Sequence, residues 1–259
     1  MRTRMIVLAL AVAMLFLAGT VLAQALSAYQ IAKKSLELDK TSTKVTTYQM
    51  TVINKRGNKK VYKFKVWQKV FPDGEKKLLR FLEPADDAGT GLLTFEQRNT
   101  DDLQWLFLPS VRKARRLAAA DRSSEFMGSD LYFEDLSALS ADEYEHKLLS
   151  EVMLGGVACY LIESKPKPGI NSAYALMRSW IDKQTFIGQK IEMYDKNGKL
   201  LKTMATKRVQ QVDGIWTIME AEITRVNMGQ AKTLMTTVER QYNVEIPNNY
   251  FTTQFLENY

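Results

Sequence analysis

A chain of 259 residues with 46% hydrophobic and 25% charged side chains has the composition of a folded globular protein, which excludes a disordered or low-complexity chain. Its formal charge of +7 suits an anionic partner such as phospholipid headgroups, or acts as a solubility margin. A single cysteine, Cys159, and a single histidine, His146, exclude an intramolecular disulfide and zinc sites of the usual kind, and offer little for nucleophile–histidine chemistry.

In chain order, Arg2 and Arg4 precede an apolar run over residues 5–18 that ends in small residues around Ala23 and Ala25. This pattern predicts a secretory signal peptide over residues 1–25 and export to a bacterial periplasm. An uncleaved inner-membrane anchor is the alternative, because the run approaches the ~20 residues that span a bilayer. Loss of Arg2 and Arg4 lowers the charge to +5. Residues 26–259 then form one domain, with no linker-like or repetitive tract.

Residues 24–39 follow a helical period, with Leu26, Tyr29, Ile31, Ala32 and Leu36 mostly on one face. After Lys40 the period becomes two. Strands are expected over 43–53 and 59–70 around the turn 54–58, then over 76–82, 91–97, 103–108 and 112–119. The stretch 121–139 breaks the alternation, and Ser129 or Asp130 is placed to cap a short helix there. Strands resume over 144–153, 157–164, 174–181, 186–194, 200–209, 214–226 and 230–242, and a last helix starts near Tyr250. Hairpin-length turns make this an antiparallel meander, and a dozen such strands must curl or close to limit their exposed edges. Cys159, inside an apolar strand, reads as a small buried hydrophobe.

No enzyme is indicated. The acidic pairs Asp86/Asp87, Asp101/Asp102 and Glu134/Asp135 are adjacent residues, which point apart on a strand, and the first two fall in turns; facing carboxylates are not supplied. No metal or cofactor is expected, and nucleic acid is not an expected partner.

Several stretches occur in a recognisable order: Arg80-Phe81-Leu82-Glu83-Pro84 with Gly89-Thr90-Gly91-Leu92-Leu93, Trp105-Leu106-Phe107-Leu108-Pro109, Arg115-Arg116, and Phe126-Met127-Gly128-Ser129-Asp130-Leu131 with Glu134-Asp135-Leu136. From about Ser35 onward the chain thereby resembles the outer-membrane lipoprotein-sorting (LolA-like) family, in its branch associated with RND-type exporters. The resemblance implies a mainly β fold with flanking helices: an unclosed antiparallel β-barrel of about eleven strands around an apolar cavity with a helical lid. It also implies a periplasmic carrier of lipid or lipoprotein acyl chains, with an inner-membrane RND-type exporter or an outer-membrane acceptor as partner.

The alternation nominates Tyr62, Phe64, Val66, Leu79, Phe81, Ile187, Ile191, Met193, Leu234 and Val238 as inward residues that either line such a cavity or fill a packed core. Twelve methionines suit an adaptable acyl-binding wall. Phe126, Met127, Gly128, Leu131, Tyr132 and Phe133 form either a movable cover hinged at Gly128 or a fixed turn. Arg112, Arg115 and Arg116 are candidates for docking a lipid headgroup or an acidic partner, against a plain solvated surface. A cargo-free accessory or scaffold protein of an envelope transport complex is the competing function.

Overall fold

A computed structural model describes residues 25–97, 100–137, 139–226 and 228–258. The signal-like segment, apart from Ala25, lies outside the described residues. A helix α1 (Ala28–Leu36) precedes six strands: β1 (Thr43–Ile53), β2 (Lys59–Phe71), β3 (Gly74–Glu83), β4 (Gly91–Phe95), β5 (Leu103–Leu108) and β6 (Lys113–Arg116). Seven more follow: β7 (Tyr144–Leu154), β8 (Val157–Pro166), β9 (Leu176–Asp182), β10 (Gly188–Tyr194), β11 (Leu200–Val212), β12 (Ile215–Arg225) and β13 (Lys232–Tyr242). A one-turn helix at Asn248–Phe251 and α2 (Thr253–Asn258) end the chain.

All strand pairs are antiparallel, in one 13-stranded sheet ordered β6-β5-β4-β3-β2-β1-β13-β12-β11-β10-β9-β8-β7. Two meanders are therefore joined side by side through β1 and β13. β6 and β7 are the free edges and do not pair, so the barrel is unclosed. The strand total exceeds the expected eleven. The chain between β6 and β7 must travel from one edge of the sheet to the other, and on the way Phe126, Leu131 and Phe133 enter the concave core.

In the β1–β4 half both faces of the sheet are buried. Tyr62, Phe64, Val66, Leu79, Phe81 and Leu92 face the concave core, whereas Trp67, Leu78, Leu93 and Phe107 face outward under Ile246, Phe251 and Leu256 of the C-terminal segment. That is why β3 reads Leu78-Leu79-Arg80-Phe81 with all four residues buried. Arg80 is 1% exposed; its guanidinium donates to Gly89 O and to Leu256 O, both at 2.7 Å, and so pins the carbonyl end of α2. Gly91 leaves room for this packing, since a Cβ there would lie 2.6 Å from Leu256 Cδ1.

α1 starts in a capping box: Ser27 Oγ accepts from Gln30 N, and Gln30 Oε1 accepts from Ser27 N. It lies against β7, β8 and β9, with Ile31 packed on Ile162 and Ile181. Cys159 is fully buried in β8. Two expectations are corrected. The strand expected over 112–119 shrinks to Lys113–Arg116, because Arg112 has φ +55° and belongs to the preceding turn. The stretch 121–139 contains no α-helix among its described residues. It folds as one-turn helices at Ala119–Ser123 and Phe133–Leu136, and Ser129 Oγ caps only its own turn, donating to Phe126 O and accepting from Leu131 N. Among the described residues no helix is long and apolar enough to cross a membrane.

Candidate functional site

The concave face encloses a cavity of about 440 Å³ that opens to solvent at one end. Phe64, Val66, Leu79 and Leu92 form one wall, Met204, Ala221, Ile223 and Met235 the other, and Leu131 and Leu136 the floor. Trp216 and Ile218, both more than a third exposed, stand at the mouth with Tyr48, Arg240 and Tyr242. Leu36 and Leu38, at the end of α1 and just beyond it, complete the lining there.

Three of the ten nominated inward residues, Phe64, Val66 and Leu79, line this space. Tyr62 and Phe81 share this concave face but are covered by residues 126–133: they meet edge-to-face at 5.4 Å, and Phe81 packs against Phe126. Ile187 and Met193 are buried and Ile191 is half-buried around β10, away from the cavity lining. Leu234 and Val238 are corrected outright. Leu234 pairs with Thr51 and Glu222 on the outer face, while its neighbour Met235 faces in with Met50 and Ala221. Val238 is 52% exposed, because the β1–β13 register slips between Thr47 and Tyr48: Tyr48 opposes Thr237 and Thr47 opposes Glu239, leaving Val238 as the extra residue of a bulge.

The segment nominated as a cover is a plug fastened to both halves of the sheet. On the β1–β6 side Phe126 and Phe133 are buried against Phe81 and each other, Tyr62 OH donates to Met127 O at 3.1 Å, and Gln104 Nε2 donates to Phe133 O at 3.1 Å. Met127 and Gly128 both have positive φ, which turns the chain so that Leu131 comes back over the cavity floor. On the β11–β13 side Asp130 accepts from Thr233 Oγ1 at 2.8 Å and from Arg225 Nε at 3.0 Å. Lys202 Nζ, on a side chain 1% exposed, pairs with Asp135 at 2.5 Å and donates to Asp130 O at 3.1 Å. Tyr174 OH donates to Asp135 Oδ1 at 2.7 Å, and Tyr132 stacks on the Tyr174 ring at 6.1 Å. Glu134 accepts from Ser172 Oγ and Ala173 N, and burial pushes its carboxyl above the usual range. Burial also lowers Lys202, more than Asp135 raises it.

A second, polar cavity of about 660 Å³ adjoins the mouth and shares Leu36, Asp39, Lys44, Gln68, Lys77 and Ser137 with the first. Arg112, Arg115 and Arg116 are exposed but not gathered: Arg112 is in the turn, Arg115 opposes Leu106, and Arg116 opposes Trp105 on the other face of the edge strand. Sequence reasoning missed Tyr48, Met204, Trp216, Ile223, Met235 and Arg240. Of these, Met204 and Ile223 were accessible from simple alternation in their strands.

An unclosed antiparallel sheet curled around an apolar cavity and bridged by its own β6–β7 crossover is the fold of the LolA superfamily. A LolA superfamily protein from Nitrosomonas europaea superposes with a TM-score of 0.73 over 89% of this chain and 100% of its own, at 19% identity. A family model described as an uncharacterized protein matches residues 73–258. A DUF1329 family protein from Desulfovibrio piger is 31% identical, with a TM-score of 0.85 over 88% of this chain and 97% of its own. The chain belongs to the DUF1329 family. It is also similar to a domain from Vibrio parahaemolyticus provisionally described as an outer membrane lipoprotein-sorting protein, at 27% identity and a TM-score of 0.83 over 89% of this chain and 98% of that one. No curated protein matches the chain.

Proposed function

We propose that this protein is a periplasmic, non-enzymatic carrier that takes an acyl chain of a lipid or lipoprotein into the concave cavity and moves it between membranes. The observation that carries the reading is the space of about 440 Å³ between two apolar walls, within the ~300–1,000 Å³ of ordinary ligand pockets. Met204 and Met235 on one wall provide the adaptable surface that a variable chain needs. Transfer of eight methylenes into such a site is worth about 6 kcal/mol before ordering costs. That is enough for reversible capture with no catalytic group. Similarity to the Vibrio domain supports the cargo class, and residues 1–25, read as a signal peptide, supply the compartment. An inner-membrane RND-type exporter or an outer-membrane acceptor is the partner this role requires.

Native mass spectrometry with lipid extraction, on protein purified from a periplasmic fraction, tests the reading. The carrier gives a co-purifying acyl-chain adduct, which disappears in Ala221→Trp because the larger side chain fills the cavity. A clean unliganded mass that takes up no added lipid supports the accessory-protein reading instead.

A further inference from the structure

The bulge that displaces Val238 has a second consequence. It resets the phase of β13, so that Thr237 and Arg240, three residues apart, both face the cavity. Arg240 is half-buried at the mouth, where Nε donates to Thr46 Oγ1 at 3.0 Å and Nη2 to Tyr48 OH at 2.5 Å, with the guanidinium 5.8 Å and 5.9 Å from the Tyr48 and Tyr242 ring centroids. All these partners are neutral. Among the described residues no carboxylate lies within 4.0 Å of this guanidinium.

The other charges at the mouth cancel. Lys44 pairs with Asp39 at 2.9 Å, and Lys77 pairs with Glu75 at 3.1 Å. Arg240 is therefore the cation at the junction of the apolar cavity and its polar vestibule that has no direct ion pair among the described residues; the Asp39 carboxylate, itself paired with Lys44, acts on it only from beyond 4.0 Å. A half-buried cation held by hydroxyls keeps a planar donor fork matched to a carboxylate or phosphate, and partial desolvation strengthens that match. The volume narrows the ligand further: a solvent-open space of about 440 Å³ lies at the lower end of ordinary ligand pockets, ~300–1,000 Å³, and suits one acyl chain better than a multi-chain lipid.

We propose that Arg240 binds the anionic head of a single-chain amphiphile, with the carboxylate or phosphate at the mouth beside Lys44 and the acyl chain running inward between Phe64 and Ile223. The assignment rests on the carrier reading and adds the charge class of the cargo.

Equilibrium binding of three probes with one chain length tests it: dodecanoate, dodecanoyl lysophosphatidate and the uncharged 1-dodecanoylglycerol. The wild-type chain binds both anions at least about tenfold more tightly than the glycerol ester, the effect of one charge-assisted hydrogen bond. Arg240→Gln abolishes the difference between the anions and the glycerol ester, whereas Arg240→Lys retains part of it. Equal wild-type affinities for the three probes, a comparison that needs no variant, overturn the anion site alone. A preference that survives in Arg240→Gln does the same. Failure of all three to bind overturns the carrier reading itself. Inorganic phosphate at millimolar concentration leaves the bound amphiphiles in place; displacement by phosphate alone assigns the site to a free anion and refutes the lipid head.

Discussion

Replacing Lys202 by methionine tests whether the plug is held by buried charge. Lys202 and Asp135 are 1% and 7% exposed, and the change leaves the Asp135 carboxylate in the core with only Tyr132 N–H and Tyr174 OH as donors, each at 2.7 Å. Breaking a buried pair from one side costs about 3–5 kcal/mol. The two surviving hydrogen bonds place this case at the lower end, about 3 kcal/mol. The ammonium also loses the Tyr132 ring, whose centroid lies 3.8 Å away. In Lys202→Met/Asp135→Asn no charge is stranded and Tyr174 keeps its acceptor, while Tyr132 N–H loses its own to the amide nitrogen, so the double variant lies about 1–2 kcal/mol below wild type and is more stable than Lys202→Met. Urea unfolding at neutral pH, followed by tryptophan fluorescence, measures both. A loss below 1 kcal/mol in the single variant, or a double variant as unstable as the singles added together, refutes the reasoning. A pH signature accompanies it. Because burial lowers Lys202 in the folded chain, the unfolded chain binds the proton more tightly, and stability rises with pH between the lowered value and the ordinary lysine range near 10.4. That rise is missing in Lys202→Met.

Gly91→Ala destabilises by about 1–3 kcal/mol through overpacking against Leu256, which is fully buried and has nowhere to move; the penalty shrinks in a Leu256→Ala background, as a double-mutant cycle read by thermal unfolding shows. Glu134 and Asp102 are both raised by burial, so the folded chain holds their protons more tightly than the unfolded one. Their contribution is present in full below the ordinary carboxylate range and is lost as pH rises through the raised values. Glu134→Gln with Asp102→Asn flattens this part of the stability profile on the alkaline side of the ordinary carboxylate range, and an unchanged slope counts against the assignment.

The alternating pattern of β2 and β3 made Phe64, Val66 and Leu79 legible, because those strands run without a break and their inward residues are large and apolar. The antiparallel meander was legible for a similar reason, since short turns between alternating segments leave few other arrangements; that the sheet stays unclosed was implied by the family resemblance alone, because alternation accepts both a curled and a closed sheet. Leu234 was misread because Leu234 and Met235 are both apolar and a period of two accepts either phase. Val238 was misread and Arg240 missed because nothing in the residues around 238 marks the bulge, which exists only in the pairing with β1. Hydrogen bonds from Asp130 to Thr233 and Arg225, and from Asp135 to Lys202 and Tyr174, join residues far apart in the chain. Sequence spacing carries no trace of them, so a fastened plug and a hinged cover read alike. Arg80 entered the sequence reading only as part of the stretch that carries the family resemblance, because its partners, Gly89 O and Leu256 O, come together only in the folded chain.

Trp216 gives direct access to the cavity. It stands at the mouth, whereas Trp67 and Trp105 belong to the outer cluster under the C-terminal segment and Trp180 lies beside Lys190 away from the cavity lining. Titration with a fatty acid brominated near its carboxylate, followed by tryptophan quenching, tests whether an acyl chain enters this space. Saturable one-to-one quenching that is lost in Trp216→Phe and blocked by Ala221→Trp is the predicted result. Quenching that is absent, or that persists unchanged in Trp216→Phe, contradicts a cargo-binding cavity.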